Sequence, residues 1–95
     1  MERIKCRNFE DAAEAVAQDF VNTMKDEGFQ TFEEMKRCYM WEPEEIKQEV
    51  SAILDEFTDC WMWDDTTHVQ IGIEDMPYRE FKKLWTSKVK ELMNN

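Results

Sequence analysis

Ninety-five residues carry 22 acidic and 12 basic side chains, a formal net charge of -10, with 42% hydrophobic and 13% aromatic content. Such a length supports a single compact domain over 1–95 that buries roughly 60–65% of the surface its unfolded chain exposes, and six Phe, four Trp, two Tyr and seven Met supply the apolar area that disordered acidic tails lack. The negative surplus repels phosphate at long range, so direct binding of nucleic acid or of an anionic membrane is disfavoured.

The first residues, Met1-Glu2-Arg3-Ile4-Lys5-Cys6-Arg7, alternate charged with apolar side chains and lead into no apolar h-region, so the chain is expected to be cytoplasmic. Ile4 and Cys6 could contribute an edge strand. Asn8 before Phe9-Glu10-Asp11 is an N-cap followed by first-turn carboxylates. Phe9, Ala12, Ala13, Val16, Ala17, Phe20, Val21 and Met24 then trace one apolar stripe at helical period, predicting a helix over 9–27. Gly28 stands where a left-handed residue would close it, with Phe29 folding back over the last turn.

Thr31 and Glu34 read as a capping box for a short helix with Phe32, Met35 and Tyr39 inward. Pro43 is tolerated in a helix's first turn but not in its interior, and so opens the next one. Ile46, Val50, Ile53, Leu54, Phe57 and Cys60 or Trp61 recur at spacings of three or four and predict a helix over 43–59. From Trp61 to Met76 the helical period breaks. Val69, Ile71 and Ile73 alternate with polar or small residues beyond an Asp-Asp-Thr-Thr run, which predicts a hairpin. Pro77 opens a last helix lined by Tyr78, Phe81, Leu84, Trp85, Val89 and Leu92. The expected fold is mainly helical α+β: three main amphipathic helices, one short helix and a small antiparallel sheet or hairpin. The alternative is an all-α fold with an extended 61–76 loop.

Charge is distributed unevenly along these elements. Residues 9–68 hold 17 acids against four bases, Lys25, Lys36, Arg37 and Lys47, whereas the segments on either side are neutral to basic. At 100° per residue Glu45, Glu49, Glu56 and Asp59 fall within about 80° of one another, over a length of about 21 Å. Mixed signs at i,i+4 would stabilise a helix by roughly 0.2–0.5 kcal/mol per pair, and like pairs cost about as much. Glu45 and Glu49 are a like pair. The stripe is therefore a candidate partner-binding surface, against the plain alternative of a solvated face. Trp41, between Glu33/Glu34 and Glu42-Pro43-Glu44-Glu45, is a candidate aromatic anchor, or else closes an interhelix corner. Trp61 and Trp85 are expected in the core, while Trp63, like Trp41, could be a half-exposed anchor.

Catalytic patterns find little here. His68 is the sole histidine, and with only Gly28 and Gly72 a glycine-rich phosphate loop is excluded. Cys6, Cys38 and Cys60 fit neither a disulfide framework nor a common zinc site, and are expected to be reduced thiols in core or half-buried positions. No metal, no cofactor and no enzymatic activity is expected.

In length, acidity, aromatic content and want of a catalytic signature, the whole chain resembles in type the small acidic anti-CRISPR and anti-restriction proteins of phages and mobile elements, some of which mimic DNA. That resemblance implies an inhibitor that occupies the basic nucleic-acid channel of a host defence nuclease. The leading expectation is thus a non-enzymatic acidic module docking on a basic protein surface through Glu45, Glu49, Glu56, Asp59 and Trp41. The alternatives are a structural or assembly protein forming a homo-oligomer through exposed aromatics, and a small-ligand or nucleotide-binding protein using Arg79, Lys82 and Lys83.

Overall fold

The computed structural model describes residues 8–57, 59–63 and 65–94. In chain order these form α1 (Phe9–Glu27), α2 (Phe32–Cys38), α3 (Pro43–Leu54), β1 (Cys60–Met62), β2 (His68–Ile71), β3 (Glu74–Pro77) and α4 (Tyr78–Met93). Four helices with a three-stranded antiparallel sheet of order β1-β2-β3 make a mainly helical α+β fold, as the periodicity predicts.

Helix α1 is bounded as expected. Asn8 Oδ1 accepts from the Asp11 amide at 2.9 Å, and Gly28 adopts φ 81°. There the amides of Gly28 and Phe29 reach the Lys25 and Met24 carbonyls, and the absence of a Cβ at Gly28 removes the steric cost of the left-handed turn. Thr31 Oγ1 caps α2 by accepting from the Glu34 amide at 3.1 Å. The reciprocal half of the expected box is displaced by one residue, because Glu34 Oε2 accepts from the Gln30 amide at 3.3 Å instead.

Three expectations are corrected. Helix α3 ends at Leu54 rather than at 59, and its last amides switch to bonds three residues back, Glu56 to Ile53 and Phe57 to Leu54. Asp55, Glu56 and Asp59 place negative charge at the negative end of the helix dipole, with no basic residue in the last turn, which favours stopping there. Tyr39 caps α2 at an exposed position instead of pointing inward, since the helix closes at Cys38. Trp61 is 39% exposed rather than in the core: it lies on a strand between buried Cys60 and Met62, where successive side chains take opposite faces.

The predicted hairpin is present and is extended by β3. Cys60 pairs with Ile71, and Ile71 with Glu74 across a two-residue turn. Gly72 is at φ 59°, the position of a type II′ turn that takes glycine. Ile73, expected within the alternating strand, is instead the second turn residue and is 98% exposed. An edge strand from Ile4 and Cys6 falls outside the described residues.

The core joins α1 to α4, the largest contact between elements. Phe20 is its centre, with ring centroids 5.2 Å from Phe32, 6.0 Å from Trp41 and 5.1 Å from Trp85. Trp85 is fully buried, as expected, and its indole N–H makes no hydrogen bond of ordinary geometry. That N–H acts on the Tyr78 hydroxyl, opposing the burial that pushes the phenol up to about 12. The sheet lays its inner face, Cys60, Met62, Val69 and Ile71, against the helices. Among the described residues no helix is long and apolar enough to cross a membrane.

Candidate functional site

The structure divides the five residues singled out from the sequence. Glu45 and Glu49 remain one turn apart on α3, both exposed. Glu45 is partly occupied locally, since its Oε2 accepts from the Glu42 amide at 3.4 Å and so serves the start of its own helix. Glu56 lies beyond the helix end and faces Asp19 of α1. The Asp19 carboxyl is raised above its ordinary value, first by desolvation and then by the Glu56 charge. Asp59 leads into β1, its carbonyl accepting from the Gly72 amide at 3.0 Å. A straight stripe of four carboxylates is therefore replaced by a pair on α3 and a second acidic locus where α1 meets the α3–β1 connection.

Trp41 closes the corner between α2 and α3. Its ring meets Phe20 at 6.0 Å and Tyr39 at 5.1 Å, and it is half-buried. The corner is made by a left-handed residue directly before it. Met40 sits at φ 58°, with its amide donating to the Arg37 carbonyl and that of Trp41 to the Lys36 carbonyl. This is the hydrogen-bond pattern that normally takes glycine. A side chain in that conformation costs roughly 1–2 kcal/mol, and Met40 is 80% exposed, so burial of its side chain does not offset the strain. Tyr39 and Met40 thus project as an apolar tip, with Glu42, Glu44 and Glu45 following at the start of α3.

The two lysines of this region are already engaged, whereas Arg37 of α2 is exposed. Lys36 Nζ lies 3.2 Å from Glu33 Oε2, and Lys47 Nζ lies 3.6 Å from Glu44 Oε1, the latter also 5.4 Å from the Tyr78 ring centroid. Such pairs are worth about 0–1 kcal/mol at a surface. They partly offset Glu33 and Glu44, whereas Glu45 and Glu49 of α3 are exposed with no lysine beside them in these pairs.

A second aromatic surface lies on the outer face of the sheet, of which the sequence points only to Trp63 and not to Trp61. Trp61 stands opposite Gln70, and Gln70 opposite Asp75. Trp63, 37% exposed, stacks on His68 at 4.4 Å, and its indole N–H donates to Gln70 Oε1 at 2.9 Å. Gln70 Nε2 donates in turn to the Gly72 carbonyl at 3.0 Å. The signal was the period of two in Cys60-Trp61-Met62-Trp63, which carrying the helical period past Leu54 obscured. In the adjoining loop, Asp65 Oδ1 accepts from the Thr67 hydroxyl at 2.7 Å and the Thr67 amide at 3.1 Å. These two bonds hold the Asp65 carboxyl below its ordinary range, helped by His68.

A groove of about 350 Å³ opens between the ends of α1 and α4 and the start of α2, lined by Met24, Phe32, Trp85, Val89 and Met93 with Lys90 at its rim. Arg79, Lys82 and Lys83, singled out for a phosphate ligand, are exposed on the first turns of α4 and do not line it. Cys60 is buried, whereas Cys38 is exposed, contrary to the core or half-buried placing expected of the thiols; Cys6 lies outside the described residues. Among the described residues no three His, Cys, Asp or Glu side chains gather as a metal site. Comparison with known protein families, curated proteins and solved structures finds no match to this chain.

Proposed function

We propose that this chain is a non-enzymatic, acidic protein-binding module that docks on a basic protein surface of the kind that otherwise holds nucleic acid, and so inhibits a nucleic-acid-binding nuclease by occupation. The observation that carries the reading is the α2–α3 corner. An exposed apolar tip held in a strained backbone conformation directly precedes α3, which exposes Glu45 and Glu49, in a segment whose lysines Lys36 and Lys47 are paired with their own acids. Strain of this kind persists where the surroundings enforce it, and such positions cluster at functional sites. Apolar anchors rimmed by charge suit a partner interface, with the charge steering encounter and the anchor supplying residence.

The test is capture by the immobilised protein from a lysate of its own organism at low and at high salt, with bound proteins identified by mass spectrometry. The reading expects a basic nucleic-acid-binding protein that is released by salt and by competing duplex DNA, because charges further apart than about 8 Å are screened at physiological ionic strength. It also expects Glu45→Gln/Glu49→Gln to weaken capture. Affinity that is indifferent to salt and to both substitutions would overturn it.

A further inference from the structure

The outer sheet face carries an inference that the acidic corner does not. Trp61, Trp63, His68, Gln70 and Asp75 share this face through the strand register and the Trp63–Gln70 bond. Trp63 is fixed twice, by its stack on His68 and by its N–H bond, so little side-chain freedom is left for a partner to remove on binding. Trp61 is the more exposed of the two indoles and has no ring partner among the described residues. Across the strands from it, in register through Gln70, lies the exposed carboxylate of Asp75, about 10 Å away at two strand spacings.

We propose that this face is an arginine-docking surface for a basic protein partner, one guanidinium plane lying on Trp61 and the fork of a neighbouring arginine turning to Asp75. Arginine suits both halves of the arrangement, since a planar guanidinium stacks on an indole and bonds a carboxylate with two donors. Lysine offers a hydrated point charge that matches neither as well. A second copy of the chain is the poorer occupant because a net charge of -10 repels its like, and a nucleic-acid strand is repelled for the same reason. The inference rests on the partner being basic and deepens that reading by naming the side chain recognised.

The experiment is titration of the full chain with a short peptide of alternating glycine and arginine, followed through the indole N–H resonances of Trp61 and Trp63, with the matched lysine peptide and a neutral glucose oligosaccharide as the other arms. The arginine peptide moves the Trp61 and Trp63 signals and leaves that of Trp85 in place, and it binds about tenfold more tightly than the lysine peptide. Asp75→Asn and Trp61→Ala each cost about tenfold. Asp75 is exposed, so its variant keeps the test valid should Trp61→Ala perturb the sheet. Equal binding of the two peptides, unmoved indole signals, or the same signals moved by the oligosaccharide would each overturn the assignment. If Glu45→Gln/Glu49→Gln leaves lysate capture intact while the arginine peptide still moves the indoles, the corner reading fails and the sheet-face reading stands.

Discussion

Met40 is the residue at which stability and the proposed function pull in opposite directions. Its left-handed backbone costs roughly 1–2 kcal/mol relative to an ordinary conformation, whereas glycine adopts it freely and loses roughly 0.5–1 kcal/mol through greater unfolded-state entropy. Met40→Gly is accordingly expected to stabilise the fold by about 0.5–1 kcal/mol in urea denaturation, and to weaken capture of the basic partner by removing the exposed tip. A variant that is less stable than the parent would mean that the Met40 side chain makes a contribution its 80% exposure conceals. Nothing in the local sequence marks Met40: a left-handed residue that is not Gly, Asn or Asp lacks a compositional signature. Trp85 lies at the other extreme, since its place on the apolar stripe of the last helix announced a core residue, and it is fully buried.

At the level of elements, what could be read in advance follows how sharply each end is punctuated. Helix α1 was legible to the residue because Asn8 and Gly28 mark its ends with opposite chemistries. The beginning of α3 was legible through Pro43, but its end was not, because apolar residues continue at helical spacing into the next element, where Phe57 and Cys60 serve other contacts. The candidate stripe inherited that error: Glu45 and Glu49 stay together while Glu56 and Asp59 belong to the connection and the sheet. Glu56 also raises Asp19. A carboxyl whose folded value lies above its unfolded one holds its proton more tightly when folded, so it subtracts stability as pH rises through the ordinary 3.8 and beyond. Glu56→Lys removes that repulsion and places a cation near the C-terminal end of α3, worth about 0.3–1 kcal/mol. Its gain in melting temperature should be full at pH 7 and shrink near pH 3, where Asp19 is protonated in both states. A gain that does not change between those values would show that the Asp19–Glu56 repulsion does not limit stability.

For the whole molecule, salt should act in two directions at once. The segment 9–68, with 17 acids and four bases, repels itself, and raising ionic strength shortens the range of that repulsion from about 30 Å at 0.01 M to about 8 Å at 0.15 M. The melting temperature is therefore expected to rise over that range, measured by circular dichroism, while affinity for the basic partner falls. A melting temperature that falls instead would show that the pairs Lys36–Glu33 and Lys47–Glu44 outweigh the repulsion. The α1–α4 contact has a consequence of a different kind, in the timing of folding. The apolar stripe of α1 is covered chiefly by α4, and 50 residues lie between the two helices. During synthesis that stripe lacks its main cover until α4 has been made, so the core closes late, by a long-range step that must first meet the entropy of joining distant segments. A nascent chain halted before Tyr78 would leave Phe20 and Met24 open to chaperones, and release of the last helix is what ends that exposure.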